Sequence, residues 1–219
     1  MDQGPTPLAL FDLDHTLLEG DSETMWSRFL FEQRLVGRDF LSRITDFYND
    51  YQKGNLDIHA YEAVLLRPLT EHPIEELHEL RQRYLREVQL VIRPFMLRRV
   101  RKLRECGYTL VLITATNCFL AEPIGEMLEF SRIICTQIKV HAGSFTTSIR
   151  GTPAFGMGKI ELLERWMKKR SLTFQDSWGF SDSHNDLPLL SRVEHPVAVR
   201  PDPILQEHAR LQGWEILNN

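Results

Sequence analysis

The chain reads as an α/β protein: a doubly wound parallel sheet of the Rossmann-like kind, interrupted by an inserted all-helical unit. Three observations lead there. The apolar runs Leu8-Ala9-Leu10-Phe11 and Tyr108–Thr114 lack polar alternation, as strands buried on both faces of a parallel sheet do. Strand-like and helix-like stretches alternate beyond Pro94, which argues for a sheet covered on both sides. Between these regions, residues 19–92 keep helical periodicity. The expected organisation is therefore a discontinuous α/β core, residues 1–18 and 93–219, and a helical domain, residues 19–92.

Each element has a local reason. After the first strand, Gly20 loosens the chain and Asp21-Ser22-Glu23 supplies capping residues for a helix beginning near Thr24. Met25, Phe29, Leu30 and Gln33 start the helical stretch. Phe40, Ile44, Phe47 and Tyr51 continue it after Gly37, and Ile74, Leu77, Leu80, Tyr84 and Val88 close it after Pro73. Pro94 suits a first helical turn, and that helix runs to Cys106 and stops at Gly107. Met96, Val100 and Leu103 form its buried stripe, so the basic run Arg98 to Arg104 is a solvated face. The strand Tyr108–Thr114 follows, with Thr116 or Asn117 placed to cap the next helix. Then come a strand over Arg132–Thr136, a hairpin over Ile138–Ile149 centred on Gly143, and a helix over Gly158–Lys169. A strand over Ser177–Ser181, a short helix after Asn185, a strand over Pro196–Val199, and a last helix and strand ending at Leu217 complete the chain.

At 219 residues, 42% hydrophobic and 26% charged, the chain has the composition of a globular protein with a substantial core. A net charge of -4 gives no electrostatic reason to expect nucleic acid or an anionic membrane as partner. Met1-Asp2-Gln3-Gly4-Pro5 lacks the basic start and apolar stretch of a secretory signal, and no segment has the length of a bilayer span. Cys106, Cys118 and Cys135 are an odd set without CxxC spacing, which argues against a disulfide framework or a zinc site and for buried structural thiols. The cytoplasm is the expected compartment. Oligomeric state is not legible.

Chemistry enters with Asp12-Leu13-Asp14-His15-Thr16. In extended backbone alternate side chains share a face, so Asp12 and Asp14 project together. Carboxylates that close resist joint ionisation unless a cation sits between them or one keeps its proton. Mg²⁺ suits such a place, and the second carboxyl can then serve as proton donor. A calcium loop is the nearest rival, with Asp12, Asp14, Thr16 and Glu23 at its first, third, fifth and twelfth positions. Leu17 stands where its sharp turn needs glycine, and Pro5-Thr6-Pro7 leaves no room for an entering helix.

Ligands collect beyond the carboxyl ends of strands in open parallel sheets. Asp12 and Asp14 end the first strand, Thr114 the second, and Ser181-Asp182-Ser183-His184-Asn185-Asp186 follows a later one; Lys159 begins a helix after Gly156-Met157-Gly158. If those edges are neighbours, they form a phosphoryl-transfer inventory. An aspartate can attack phosphorus and split one difficult step into two. A transferring phosphoryl group spreads negative charge that an ammonium, a hydroxyl and the backbone N–H groups near Thr114 stabilise. Other nucleophile patterns fail. A thiol phosphatase needs arginine where this chain has Leu112, Ile124 and His141, and a nucleotide-binding loop is broken by Pro153 and Ile160.

The four stretches together resemble the haloacid dehalogenase superfamily of phosphohydrolases, in its phosphoserine phosphatase-like branch with a helical cap. Asp12 to Thr16 matches the first motif, Thr114 the second, Lys159 the third, and Ser181 to Leu187 the fourth. The resemblance implies a magnesium-dependent phosphatase with Asp12 as nucleophile and Asp14 as acid/base. It implies that Asp12, the Asp14 backbone carbonyl and Asp182 hold Mg²⁺, with Asp186 supporting through water. Thr114 with Ala115, Lys159 and Asn185 would bind the phosphoryl group. The fourth motif departs from the usual Gly-Asp-Gly by reading Ser181-Asp182-Ser183, which keeps the metal ligand. The second continues Ala115-Thr116-Asn117 in place of glycines, which bears on substrate. Dehalogenases proper lack the second carboxylate, so Asp14 argues for phosphate.

The substrate expected is a small phosphorylated metabolite. By analogy with the branch, Asp21 meets a substrate ammonium; Glu19, Asp21 and Glu23 make the entrance acidic, and Gly20 with Arg93-Pro94 lets the cap open and close. Chains of this type include histidinol-phosphate phosphatases, and an amine without a carboxylate makes histidinol phosphate the first choice. Phosphoserine, the alternative, needs a cation for its carboxylate, for which Arg67 is the candidate. A phosphotransferase or mutase using the same aspartyl phosphate is a further reading. A phosphoaspartate receiver is smaller, needs no cap, and avoids the hydrolytic base that Asp14 offers.

Overall fold

A computed structural model describes residues 6–218, so the amino-terminal reading of Met1 to Pro5 lies outside the described residues. The strands are β1 (Leu8–Phe11), β2 (Thr109–Asn117), β3 (Arg132–Thr136), β4 (Ile138–His141), β5 (Ser144–Ile149), β6 (Trp178–Ser181), β7 (His195–Val199) and β8 (Glu215–Leu217). Six of them form one parallel sheet in the order β3-β2-β1-β6-β7-β8, while β4 and β5 pair as a separate antiparallel hairpin. Its turn residues Ala142 and Gly143 both sit at positive φ, as tight hairpins of this hand require.

Alternation explains why β1 is apolar at every position. Ala9 and Phe11 join one core with Leu110, Leu112, Phe180, Val197, Met96 and Val100, whereas Leu8 and Leu10 join a second with Val111, Ile113, Ile160, Leu163 and Trp166. Helices α6 (Pro94–Glu105) and α7 (Cys118–Met127) contribute to the first layer, and α8 (Met157–Lys168) to the second. Met96, Val100 and Leu103 are buried as their spacing predicts. Arg99 and Arg104 on the outer face of α6 pair with Glu215 and Glu129.

Between β1 and α6 lie α1 (Ser22–Glu32), α2 (Arg38–Gln52), α3 (Ile58–Leu65), α4 (Arg67–Thr70) and α5 (Ile74–Leu90). α2 and α3 have an apolar cluster of their own around Ile44, Tyr61, Val64 and Leu65. The segments leading into and out of this stretch touch: Leu18 and Ile92 form an antiparallel bridge, Glu19 N donates to Val91 O (2.7 Å), and Arg93 N donates to Leu17 O (2.8 Å). The remaining helices are α9 (Leu187–Leu190), after a 3-10 turn at His184–Asp186, and α10 (Pro203–Gln212).

Three expectations change. The second strand does not end at Thr114; it runs to Asn117, with a register shift against β3 beyond Ile113. Asn117 takes the N-cap position of α7, yet its side chain makes no cap bond, and Thr116 also points elsewhere. The cysteine reading is overturned: Cys118 and Cys135 form a disulfide, Cα atoms 5.2 Å apart, and Cys106 is exposed. Parallel pairing of β2 with β3 brings together residues 17 apart in sequence, which spacing rules could not show. Closing a loop of that order stabilises a fold by about 3 kcal/mol.

Candidate active site

The chain leaves β1 toward β2 on one side and returns to β6 on the other, so the strand order reverses at β1. Crevices at such reversals, beyond the carboxyl ends of the strands, are where ligands bind. Asp12 and Asp14 follow β1 there, and Asp12 N donates to Phe180 O of β6 (2.9 Å), which ties the two strand ends together. A pocket opens above them. Its wall includes Asp12, Asp14, Thr114, Ala115, Thr116, Lys159, Asn185 and Asp186 from the sheet side, and Asp21, Glu23, Phe47, Tyr48, Tyr51 and Tyr61 from α1 to α3 and the loop before α1.

Lys159 is the electrostatic centre. Its Nζ lies 2.7 Å from Asp12 Oδ1 and 2.7 Å from Asp186 Oδ2, with all three side chains buried. Ser181 Oγ donates to the same Asp186 oxygen (2.7 Å). Burial works against the lysine's charge, but Asp12 and Asp186 outweigh it and hold its proton affinity above the ordinary range. The backbone that delivers Lys159 tolerates no side chain before it: a Cβ on Gly158 would lie 2.0 Å from Pro153 O. Asp186, expected to support the metal through water, is engaged at Oδ2 by Lys159 and Ser181.

Asp14, in the same pocket, draws its donors from other elements. Its Oδ1 accepts from Ser22 N (2.6 Å) and its Oδ2 from Thr116 Oγ1 (2.6 Å), while Thr114 Oγ1 donates to Thr116 Oγ1 (3.0 Å). Burial, reinforced by Asp21 and Asp12, raises its pKa well above the carboxylate range. Asp12 is raised to about 6, by burial first and by Asp186, with Lys159 opposing. Asp182 accepts from Thr16 Oγ1 (3.2 Å) and is raised well above its ordinary value by burial, then by Asp12 and Asp186. Its side chain borders an adjoining groove with His15, Glu19, Arg93 and Arg200.

The expected substrate residues separate. Asp21 lines the pocket and also caps α1 by accepting from Thr24 N (2.6 Å). Glu19 lies in the adjoining groove, largely exposed, near Arg93 and Arg200. Arg67 does not reach the pocket; its side chain is 70% exposed and pairs with Glu71 one helical turn away. Residue patterns also missed several neighbours. Ser22, Thr116 and Asn117 looked like local caps, but a buried acid draws donors from any element that reaches it. Asn117 thus gives both its N–H (2.9 Å) and its Nδ2 (2.7 Å) to Glu23 Oε1. Tyr48 and Tyr51 of α2 reach across to His15 Nε2 (3.4 Å) and Ser183 Oγ (3.0 Å). Aromatic side chains beyond what one buried helical stripe needs were the available signal.

A parallel sheet with this strand order and an acidic pair after its first strand defines a class. The family model for haloacid dehalogenase-like hydrolases matches residues 9–191, and the chain belongs to that family. Within it the chain is a phosphatase. It is 37% identical to a histidinol-phosphatase of Neisseria meningitidis over 96% of this chain and 98% of that protein. It is 30% identical to the phosphoserine phosphatase SerB1 of Mycobacterium tuberculosis, over 96% of this chain and 70% of that one. Among solved structures, a protein of unknown function from Bordetella pertussis superposes with a TM-score of 0.89 at 33% identity, over 98% and 99% of the two chains. A substrate-bound phosphoserine phosphatase shares the fold with a TM-score of 0.74 at 18% identity, over 99% of this chain and 95% of that one.

Proposed function

We propose that the protein hydrolyses the phosphate monoester of a small amine-bearing alcohol through an aspartyl phosphate on Asp12, with histidinol phosphate as the leading substrate. The observation that carries this reading is the Asp12–Lys159–Asp186 ion triad beside Asp14 in one pocket. In the proposed reaction Asp12 attacks phosphorus while Lys159, Thr114, Ala115 N–H and Asn185 hold the phosphoryl oxygens. Asp14, whose burial favours the protonated form, gives its proton to the departing alkoxide. It then takes a proton from the water that attacks the aspartyl phosphate, which releases inorganic phosphate and restores Asp12.

The donor set suits Mg²⁺: Asp12 and Asp182 are hard oxygen ligands whose burial and mutual repulsion a cation would relieve, with the Asp14 carbonyl as third. That ion, when bound, would supply positive charge opposite the developing phosphoryl charge. Residues 19–92 are proposed to act as a cap over the core of residues 1–18 and 93–219, and the separate apolar cluster of α2 and α3 supports that division.

Two features favour an amine without a carboxylate. Asp21 and Glu23 line the leaving-group side, and among the described residues Lys159 is the one Lys or Arg in the lining. A substrate carboxylate would find no arginine there, since Arg67 is on the outer surface. Turnover of a panel of phosphorylated metabolites with and without Mg²⁺ tests the proposal. Preferred hydrolysis of histidinol phosphate is expected; strong preference for phosphoserine would replace the substrate, and no Mg²⁺-dependent release from any monoester would end the reading.

A further inference from the structure

Glu23 and Glu62 are two buried carboxyls that the phosphoryl chemistry does not use. Glu23, on α1, lines the pocket and is 5% exposed. Asn117 and the Tyr61 hydroxyl hydrogen-bond it, so three donors from two other elements hold the carboxyl in one orientation. The same pocket is lined by Ile44, Phe47, Leu56 and Ile58, an apolar lining that suits a flat ring better than a polar chain. Near it, Glu62 of α3 is 1% exposed, and among the described residues neither of its carboxyl oxygens has a hydrogen-bond partner. A buried acid without partners costs on the order of 1–3 kcal/mol, a defect expected where function requires it.

Resting on the substrate reading above, we infer that Glu23 is a specificity-determining residue that accepts an N–H from a nitrogen heterocycle of the leaving alcohol. Asp21 and Glu23 then divide the work, one facing the amine and the other the ring. The titratable groups facing Glu23 are Asp21 from the preceding loop, Tyr61 and Glu62 from α3, and Tyr84 from α5. Burial, with Asp21 adding to it, raises Glu23 to about 7. Burial and then Glu23 raise Glu62 well above its ordinary range, which favours the neutral acid. A ring that donates or carries a proton stabilises the Glu23 carboxylate; an aliphatic amine without a ring gives it nothing. Sites built to hydrogen-bond a group discriminate strongly against ligands that lack it.

The test compares histidinol phosphate with O-phosphoethanolamine, which has the amine and lacks the ring, across wild type, Glu23→Gln and Glu62→Gln. The readout is the ratio of kcat/KM for the two substrates, so any general loss cancels. Glu23→Gln should lower that ratio about tenfold or more, mainly through KM, because a charge-assisted bond becomes a neutral one. Glu62→Gln, which replaces a carboxyl favoured in its neutral form by a neutral amide, should leave both the ratio and its pH dependence unchanged. If Glu23→Gln fails to fold, Tyr61→Phe, which removes one donor, should lower the ratio about threefold. Equal losses on both substrates, or an unchanged ratio, would overturn the inference while leaving the substrate reading intact. Calorimetry with histidinol itself covers the converse. Ring binding that Glu23→Gln abolishes would uphold the inference even if histidinol phosphate proves a poor substrate, and wild type that does not bind histidinol would overturn it.

Discussion

Lys159 and Glu62 are both ionisable side chains almost wholly withdrawn from water, yet their surroundings are opposite. Lys159 sits between two carboxylates at 2.7 Å, with Ser181 completing the set, whereas neither oxygen of Glu62 has a partner. The ion triad on the sheet side is thus satisfied within the protein, whereas the buried Glu62 carboxyl on the helical side is not. Preorganised charges suit chemistry that must not wait for reorganisation.

The largest expected effect lies on the satisfied side. Asp12→Asn should abolish Mg²⁺-dependent phosphate release from an aryl phosphate while circular dichroism stays native. Asp14→Asn should lower the rate roughly a hundredfold or more, the scale of general acid-base catalysis. Wild-type activity in Asp12→Asn would remove the nucleophile assignment.

Stability should show the contrast directly. Lys159→Met leaves Asp12 and Asp186 buried without their cation and should cost about 3–5 kcal/mol in urea unfolding. Glu62→Leu, which deletes an acid that lacks partners, should be neutral or stabilising by about 1–3 kcal/mol. Similar losses in both variants would erase the distinction between the two sides.

Proton linkage gives a third comparison. Folding raises Glu23 from 4.5 to about 7, so its contribution to stability is fully present below pH 4.5 and disappears as pH rises through about 7. At 1.36 kcal/mol per pKa unit the change is about 3 kcal/mol. Metal-free wild type should therefore unfold at lower urea concentration at pH 8 than at pH 5, and Glu23→Gln should flatten part of that slope. The smallest effect belongs to Arg67→Ala: an exposed pair with Glu71 is worth about 0.5 kcal/mol or less, and KM should not move.

The same contrast decides what was legible in the residues. The apolar run ending at Phe11 and the two-residue spacing of Asp12 and Asp14 are local signals, and the strand, the reversal of strand order and the pocket above it follow from such signals. Lys159 was readable because Gly156 and Gly158 mark a helix entrance. Glu62 was not, since a glutamate on a helix reads as surface until another element covers it. Thr116 and Asn117 were taken for caps because capping is a local rule, while their partners Asp14 and Glu23 lie far away in sequence. Arg67 was misplaced because helical periodicity does not say which way a short helix turns its exposed side.

The bridge between Leu18 and Ile92 has a mechanical outcome. Two loose tethers would allow the proposed cap to slide and tumble over the sheet edge, but here the outgoing and returning threads are knitted together. Arg93 reinforces the seam from inside, its Nε donating to the carbonyls of His15 and Leu18. Under the proposed cap reading, such a seam would act as a door hinge, allowing a swing about one line and resisting sideways drift. Each closing would bring Tyr48 and Tyr51 back onto the same two latches, His15 and Ser183.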